Sequence, residues 1–176
     1  MKRSARCLVA ALALAAAAAT ATPLTVKAPD FTLLPEGSLR DGICSFYTRG
    51  QAACVLDIAS PGAYSFIIVA RGEPAAGEGP ILRVLRDGQP VFKTEVSSTN
   101  WAPYTFDIEL SAGQHEIGIA FPNDYAQNGE DRNLHVADLS VIPPGNLPLP
   151  AVLSATGYTA FVAARREKLR EDTARR

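Results

Sequence analysis

From about residue 53 onward, apolar and polar positions alternate in short runs cut by turn residues. "ACVLDIA" (53–59) stops at Ser60-Pro61-Gly62, and "AYSFIIVA" (63–70) follows it. Arg71 to Pro80 holds three Gly and two Pro in ten residues and reads as a loop. "ILRVLRDGQPVFKTEV" (81–96) is two runs around Asp87-Gly88, a hairpin signal. "YTFDIEL" (104–110), "QHEIGIAF" (114–121) and "NLHVADLSVI" (133–142) alternate at a period of two. A short edge strand fits Phe31–Leu34. Seven or eight short strands, roughly ten residues apart, predict an all-β chain folded as an antiparallel β-sandwich or jelly roll.

The pattern changes at both ends. Lys2, Arg3 and Arg6 precede an Ala-rich apolar run from Cys7 to Ala19, and Ala19-Thr20-Ala21 has the small-x-small form of a cleavage site. This predicts a secretory signal peptide over residues 1–21; the run is short and poor in Leu for a membrane anchor. Residues 22–50 are irregular and bring in the first strand, 51–143 hold the sandwich, and Pro143-Pro144-Gly145 opens a Pro-rich linker over 144–153. Residues 154–176 then switch to helical spacing, with Tyr158, Phe161, Val162 and Leu169 as a thin apolar stripe. Such a stripe predicts a basic amphipathic tail that docks weakly or frays, solvated or offered to a protein partner.

Removing the signal changes the charge balance. The full chain has 17 basic and 18 acidic residues. Without Lys2, Arg3 and Arg6 it has 14 and 18, and the excess positive charge sits in Arg165–Arg176, six basic against three acidic. The body between carries 8 basic and 15 acidic residues, a net of −7. An acidic body excludes a nucleic-acid backbone as partner and suits cations or neutral ligands. Export, to the periplasm or outside, also bears on cysteine. Cys44 and Cys54 remain after Cys7 leaves, and an even pair in an oxidising compartment predicts a Cys44–Cys54 disulfide stapling a hairpin around Arg49-Gly50.

Catalytic patterns are missing. His115 and His135 both sit in strand patterns, and His135, between Leu134 and Val136, is expected to point outward. No nucleophile elbow, zinc pair or phosphate loop occurs, so the chain reads as non-catalytic. The chemistry concentrates instead in "FPNDYAQNGEDRNLHVADLSV" (121–141), where Asn123, Asp124, Asn128, Glu130, Asp131 and Asn133 fall in one loop between strands. Ca²⁺ takes about six to eight hard oxygen ligands from carboxylates, Asn side chains and carbonyls. Asp124 and Asp131 bracket such a set, and Gly129 lets the backbone turn, although the spacing is not that of an EF-hand. Ordinary turn chemistry, with Asn and Asp bonding their own backbone, is the other reading of the same residues.

The loop and its surroundings resemble the calcium-dependent, xylan-binding carbohydrate-binding modules. "F-x-N-D", a variable loop and "D-R-N-L-x-V" appear in order, preceded by "GAYSFIIVARG", "ILRVLRDG", "W-x-x-Y-x-F" and "L-x-A-G-x-H-x-I-x-I-x-F" over residues 50 to 142. The resemblance implies a jelly roll that binds polysaccharide through a loop calcium, the sugar giving vicinal hydroxyls to the ion. By position it implies Asp124, Asp131 and Glu78 as side-chain ligands, the Trp101 carbonyl as another, and Arg132 and Asn133 as braces behind the loop. Trp101 and Tyr125 would offer rings to the sugar, Tyr125 the more exposed, with Asn123 and Asn128 offering amides. A structural or assembly protein, binding a partner through the C-terminal helix, is the competing expectation.

Overall fold

The computed structural model describes residues 24–175, apart from residues 28, 29, 35, 36, 146 and 148. The expected signal peptide, residues 1–21, lies outside them. In chain order the strands are β1 (Leu24–Lys27), β2 (Thr32–Leu34), β3 (Ser38–Arg40), β4 (Ile43–Phe46), β5 (Gly50–Ile58), β6 (Gly62–Glu73) and β7 (Ile81–Arg86). They continue as β8 (Gln89–Glu95), β9 (Ala102–Leu110), β10 (Gly113–Phe121), β11 (Ala126–Gln127), β12 (Glu130–Asp131), β13 (Asn133–Ile142) and β14 (Ala151–Val152), before the helix α1 (Ala155–Ala174).

Two antiparallel sheets form the sandwich. The first runs β3-β4-β13-β6-β9, with β1 also on β13; the second runs β14-β5-β10-β7-β8, with β2 also on β5. Alternate side chains of each sheet meet between them: Tyr64, Phe66, Ile68 and Ala70 from β6, and Ile117, Ile119 and Phe121 from β10. The Asp87-Gly88 hairpin forms as read, both residues having positive φ (53° and 80°), which suits a two-residue turn.

In β13, strict alternation after Leu134 and Val136 would drive Asp138 and Ser140 into the core. The pairing with β6 slips between Val136 and Asp138, and the bulge moves Leu139 and Val141 inward instead.

The disulfide expectation is corrected. Cys44 and Cys54 are free and buried. β4 pairs with β13 in one sheet and β5 with β10 in the other, so no hairpin joins the two cysteines. Burial pushes both thiols up to about 12, which keeps them protonated and unreactive. The native protein should therefore resist a thiol-specific chromogenic reagent, and both cysteines should react after denaturation without reductant. Denatured protein lacking those thiols would restore the disulfide.

The tail does not behave as a thin solvated stripe. Ser154 caps α1 by accepting from Gly157 N at 3.3 Å. Tyr158 is buried against Ala53 and Val55, on the β5 face turned away from the core, with Phe161 and Val162 packed beside it. Its hydroxyl donates to Glu116 Oε2 at 3.2 Å. Burial, with Glu116 beside it, raises that phenol to about 12. Arg165 donates to the Asp87 carbonyl. Tyr158→Ala should cost about 2 kcal/mol, read by urea unfolding. An unchanged midpoint would mean the helix is not docked in solution.

Candidate functional site

Three loops meet at one end of the sandwich: 74–80 after β6, 96–101 before β9, and 122–132 between β10 and β13. Gly72 N donates to Ser98 O at 2.8 Å, and Val96 N to Pro80 O at 2.8 Å. Gly72 is required at this crossing, because an added Cβ would collide with Val96 O and lie 2.7 Å from Pro80 Cδ.

The oxygen-rich loop is itself a small hairpin. β11 pairs with β12, and Asn128-Gly129 turn with φ of 56° and 82°. Asn128 is thus an exposed turn residue at the tip. Asn123 and Glu130 bind the neighbouring loop: Asn123 Oδ1 accepts from Ile81 N at 2.6 Å, its Nδ2 donates to Gly79 O at 3.1 Å, and Glu130 Oε2 accepts from Ala76 N at 2.8 Å.

Arg132 closes the arrangement. It is only 4% exposed. Its Nε donates to Glu78 O at 3.1 Å, Nη1 to Asn123 O at 2.8 Å, and Nη2 to Ala75 O at 2.6 Å. Glu78 Oε2 stands 3.3 Å from Nη2, and the guanidinium lies 5.6 Å from the centre of the Tyr125 ring. One planar fork therefore ties the 74–80 loop to the 122–132 loop. Tyr125 is half-buried by this contact, while Trp101 is 41% exposed, the reverse of the expected order.

Next to the clamp, Asn133 is 5% exposed and donates from Nδ2 to Glu73 Oε2 at 2.9 Å and Asp131 Oδ2 at 3.2 Å. Glu73, which sequence reasoning did not single out, also accepts from Arg71 at 3.0 Å and meets His135 Nε2 at 3.1 Å. Asn133 above all, then Arg71 and His135, hold the Glu73 carboxyl below the usual carboxylate range against an opposing effect of burial. His135 lies on the outer face of its sheet, as expected, but is buried there. Burial first, and then the Arg71 charge, lower its pKa, so the ring is neutral near pH 7. Nε2–H faces the carboxylate, which leaves Nδ1 to accept from Ser45 Oγ at 2.8 Å.

Both shifts have the same sign. Each folded pKa lies below its unfolded value, so the unfolded chain binds more protons and stability falls on acidification. The loss begins as pH drops through about 6.5 for His135 and deepens below about 4.3 for Glu73. Thermal midpoints measured from pH 7 down to pH 4 should fall in that order, and a flat profile to pH 5 would remove the His135 contribution.

Among the described residues, two buried side-chain oxygens have no hydrogen-bond partner: Asp124 Oδ1 and Asn133 Oδ1. An orphaned buried carboxylate oxygen is costly unless a cation answers it. The family profile for Ca-dependent, xylan-binding carbohydrate-binding modules (CBM60) matches residues 65–153, a span containing all three loops. The chain belongs to this family.

Solved structures agree on the fold. The CBM36-1 domain of a multidomain xylanase from the hindgut metagenome of Trinervitermes trinervoides is 15% identical, covering 70% of this chain and 99% of that one with a TM-score of 0.59. A family 35 carbohydrate binding module from an environmental isolate is 15% identical over 72% and 98% of the two chains, at 0.54. A CBM36 module in complex with calcium and xylotriose is 13% identical over 67% and 98%, at 0.52. No curated protein sequence matches the chain.

As a CBM60 member, the chain is a calcium-dependent carbohydrate-binding module. Its residues fit the ion through the orphaned Asp124 oxygen and the carbonyl-rich loops around it. Among the described residues, no group of three or more His, Cys, Asp or Glu side chains is placed to hold a metal, so Asp124, Asp131 and Glu78 are not gathered into one cluster. No helix among them is long and apolar enough to cross a membrane.

Proposed function

We propose that this module binds a xylan-like polysaccharide without cleaving it, through calcium held by Asp124, Asp131 and loop carbonyls, that of Trp101 among them. The observation that carries the proposal is the unpartnered, buried Asp124 Oδ1. Calcium supplies open coordination positions that two neighbouring sugar hydroxyls can fill. Arg132 and Asn133 hold the loops in place, and the exposed Trp101 ring offers a stacking face. Glu78 is the weakest member of the expected ligand set, because its carboxylate is exposed and already faces Arg132. A binding-only role is supported by the family, whose members are carbohydrate-binding modules. We read the protein as exported after residue 21, with residues 51–143 as the binding unit.

Affinity electrophoresis through xylan, galactan and glucan gels, with calcium and with chelator, tests this. Retardation in xylan that disappears with chelator is expected. Calcium-independent retardation, or none in any gel, would sink the proposal. Glu78→Gln should change retardation less than about fivefold, since an ion pair whose carboxylate is exposed contributes at most about 1 kcal/mol. A larger loss would return Glu78 to the ion.

A further inference from the structure

We propose that the outer face of the β3-β4-β13-β6-β9 sheet extends the glycan site: an uncharged-sugar subsite floored by Ser45, His135 and Arg71, with the rings of Tyr47 and Trp101 at its ends. This rests on the glycan-binding reading above. Strand register brings these residues together. His135 lies opposite Ser45 on one side and opposite Arg71 on the other. Ala70 pairs with Ala102, which sets Trp101 beside Arg71, and the guanidinium lies 5.5 Å from the Trp101 ring centre. Three neighbouring strands and the residue that leads into β9 thus contribute to one row, which at normal strand spacing runs for roughly 14 Å, a few sugar rings in length.

The row is hollowed. A cavity of about 240 Å³ opens on it, lined by Arg40, Asp41, Ser45, Tyr47, Arg71 and His135. Tyr47 leaves 53% of its surface open although the core is only one residue away at Phe46. Its ring is held edge-on to His135, with centroids 5.8 Å apart at 76°. An exposed aromatic fixed beside a hydroxyl, an imidazole and a guanidinium suits the mixed apolar and polar surface of a sugar.

Continuity with the calcium loops comes through hydrogen bonds. Asp131 and Glu73 share the Asn133 amide, and Glu73 in turn holds Arg71 and His135. A chain anchored at the loops and lying toward Tyr47 would follow this network. The charges on the face are already answered, Arg71 by Glu73 at 3.0 Å and Arg40 by Asp41 at 3.4 Å. No unopposed cation stands in the row for a sugar acid, so the subsite suits a neutral chain.

Isothermal titration of the full chain with xylobiose and with xylohexaose, both in calcium, provides the test. The wild type should bind the hexaose more tightly than the biose. Tyr47→Ala should weaken the hexaose by about three- to tenfold and leave the biose within about twofold, while Tyr47→Phe keeps wild-type affinity for both. Equal thermal midpoints would show that the exposed substitution leaves the fold intact. Unchanged hexaose binding by Tyr47→Ala, with calcium dependence retained, would overturn the subsite and spare the calcium reading. Equal losses for both sugars would place the effect of Tyr47 in the calcium loops and overturn it as well. A wild type that binds neither sugar would end both proposals.

Discussion

Arg132→Met should lose glycan affinity and about 3 kcal/mol of folding stability together. Methionine fills much of the buried volume but donates nothing; Ala75 O and Glu78 O keep each other's backbone N–H, at 3.1 and 3.0 Å, while Asn123 O loses its donor. An acceptor left bare in a buried setting costs about 1–3 kcal/mol, and a bond to a charged group contributes about 1.5–3 kcal/mol. The sum is discounted here because water reaches part of the loop. Arg132→Lys should recover little, since an ammonium cannot serve three carbonyls set in a planar fork. Urea unfolding reads the stability and affinity electrophoresis the binding. A variant that unfolds earlier yet binds xylan normally in calcium would separate the clamp from the site.

Asp124→Asn should abolish the calcium response while leaving the fold in place. The substitution keeps the shape and removes the charge at the orphaned oxygen. Even residues that only orient metal ligands cost 10–100-fold when altered, so removing a direct charged ligand should weaken calcium by about 100-fold or more. Stability gives a readout independent of sugar. With a dissociation constant on the order of 1 mM, about 10 mM calcium should add about 1.4 kcal/mol to the wild type by mass action. The variant should show none of that gain, and its stability in chelator should equal or exceed that of the wild type, because an uncompensated buried charge is gone. If both proteins respond alike to calcium, Asp124 is not a ligand.

Much of the sandwich was legible because alternation is a local property. The strands from β5 to β10, and β13, appear in the sequence as apolar runs cut by Gly, Pro and Asp. β1, β3 and β4 were not read: they are three or four residues long and sit in a Pro-bearing stretch without clear alternation. The docking of α1 had a signal that went unused. Residues 52–56 are apolar without interruption, and such a strand is covered on both faces. The core takes Cys54 and Leu56, and the helix takes Ala53 and Val55.

The cysteine pair failed for a different reason. Compartment and parity say nothing about which sheet each strand joins. At the loops, the oxygen-rich composition and Arg132 could be seen, but the partners could not. Asn123 looks like a ligand in sequence and is spent on Ile81 and Gly79, while Glu73, at the end of a strand 58 residues before Asp131, gains its place only through the pairing of β6 with β13.

Arg132 grips carbonyl oxygens, which every residue possesses. Glu78, whose side chain is exposed, could change identity and still present the same acceptor to its guanidinium. Loop composition is in this way released from loop closure. Substitutions can accumulate around the ion and retune which sugar is accepted, provided Gly72, Asn123, Asp124 and Arg132 persist. A fold arranged like this can drift far in sequence while keeping its binding end assembled, and that tolerance makes the 74–80 and 122–132 loops the natural place to diversify when selecting modules for new glycans.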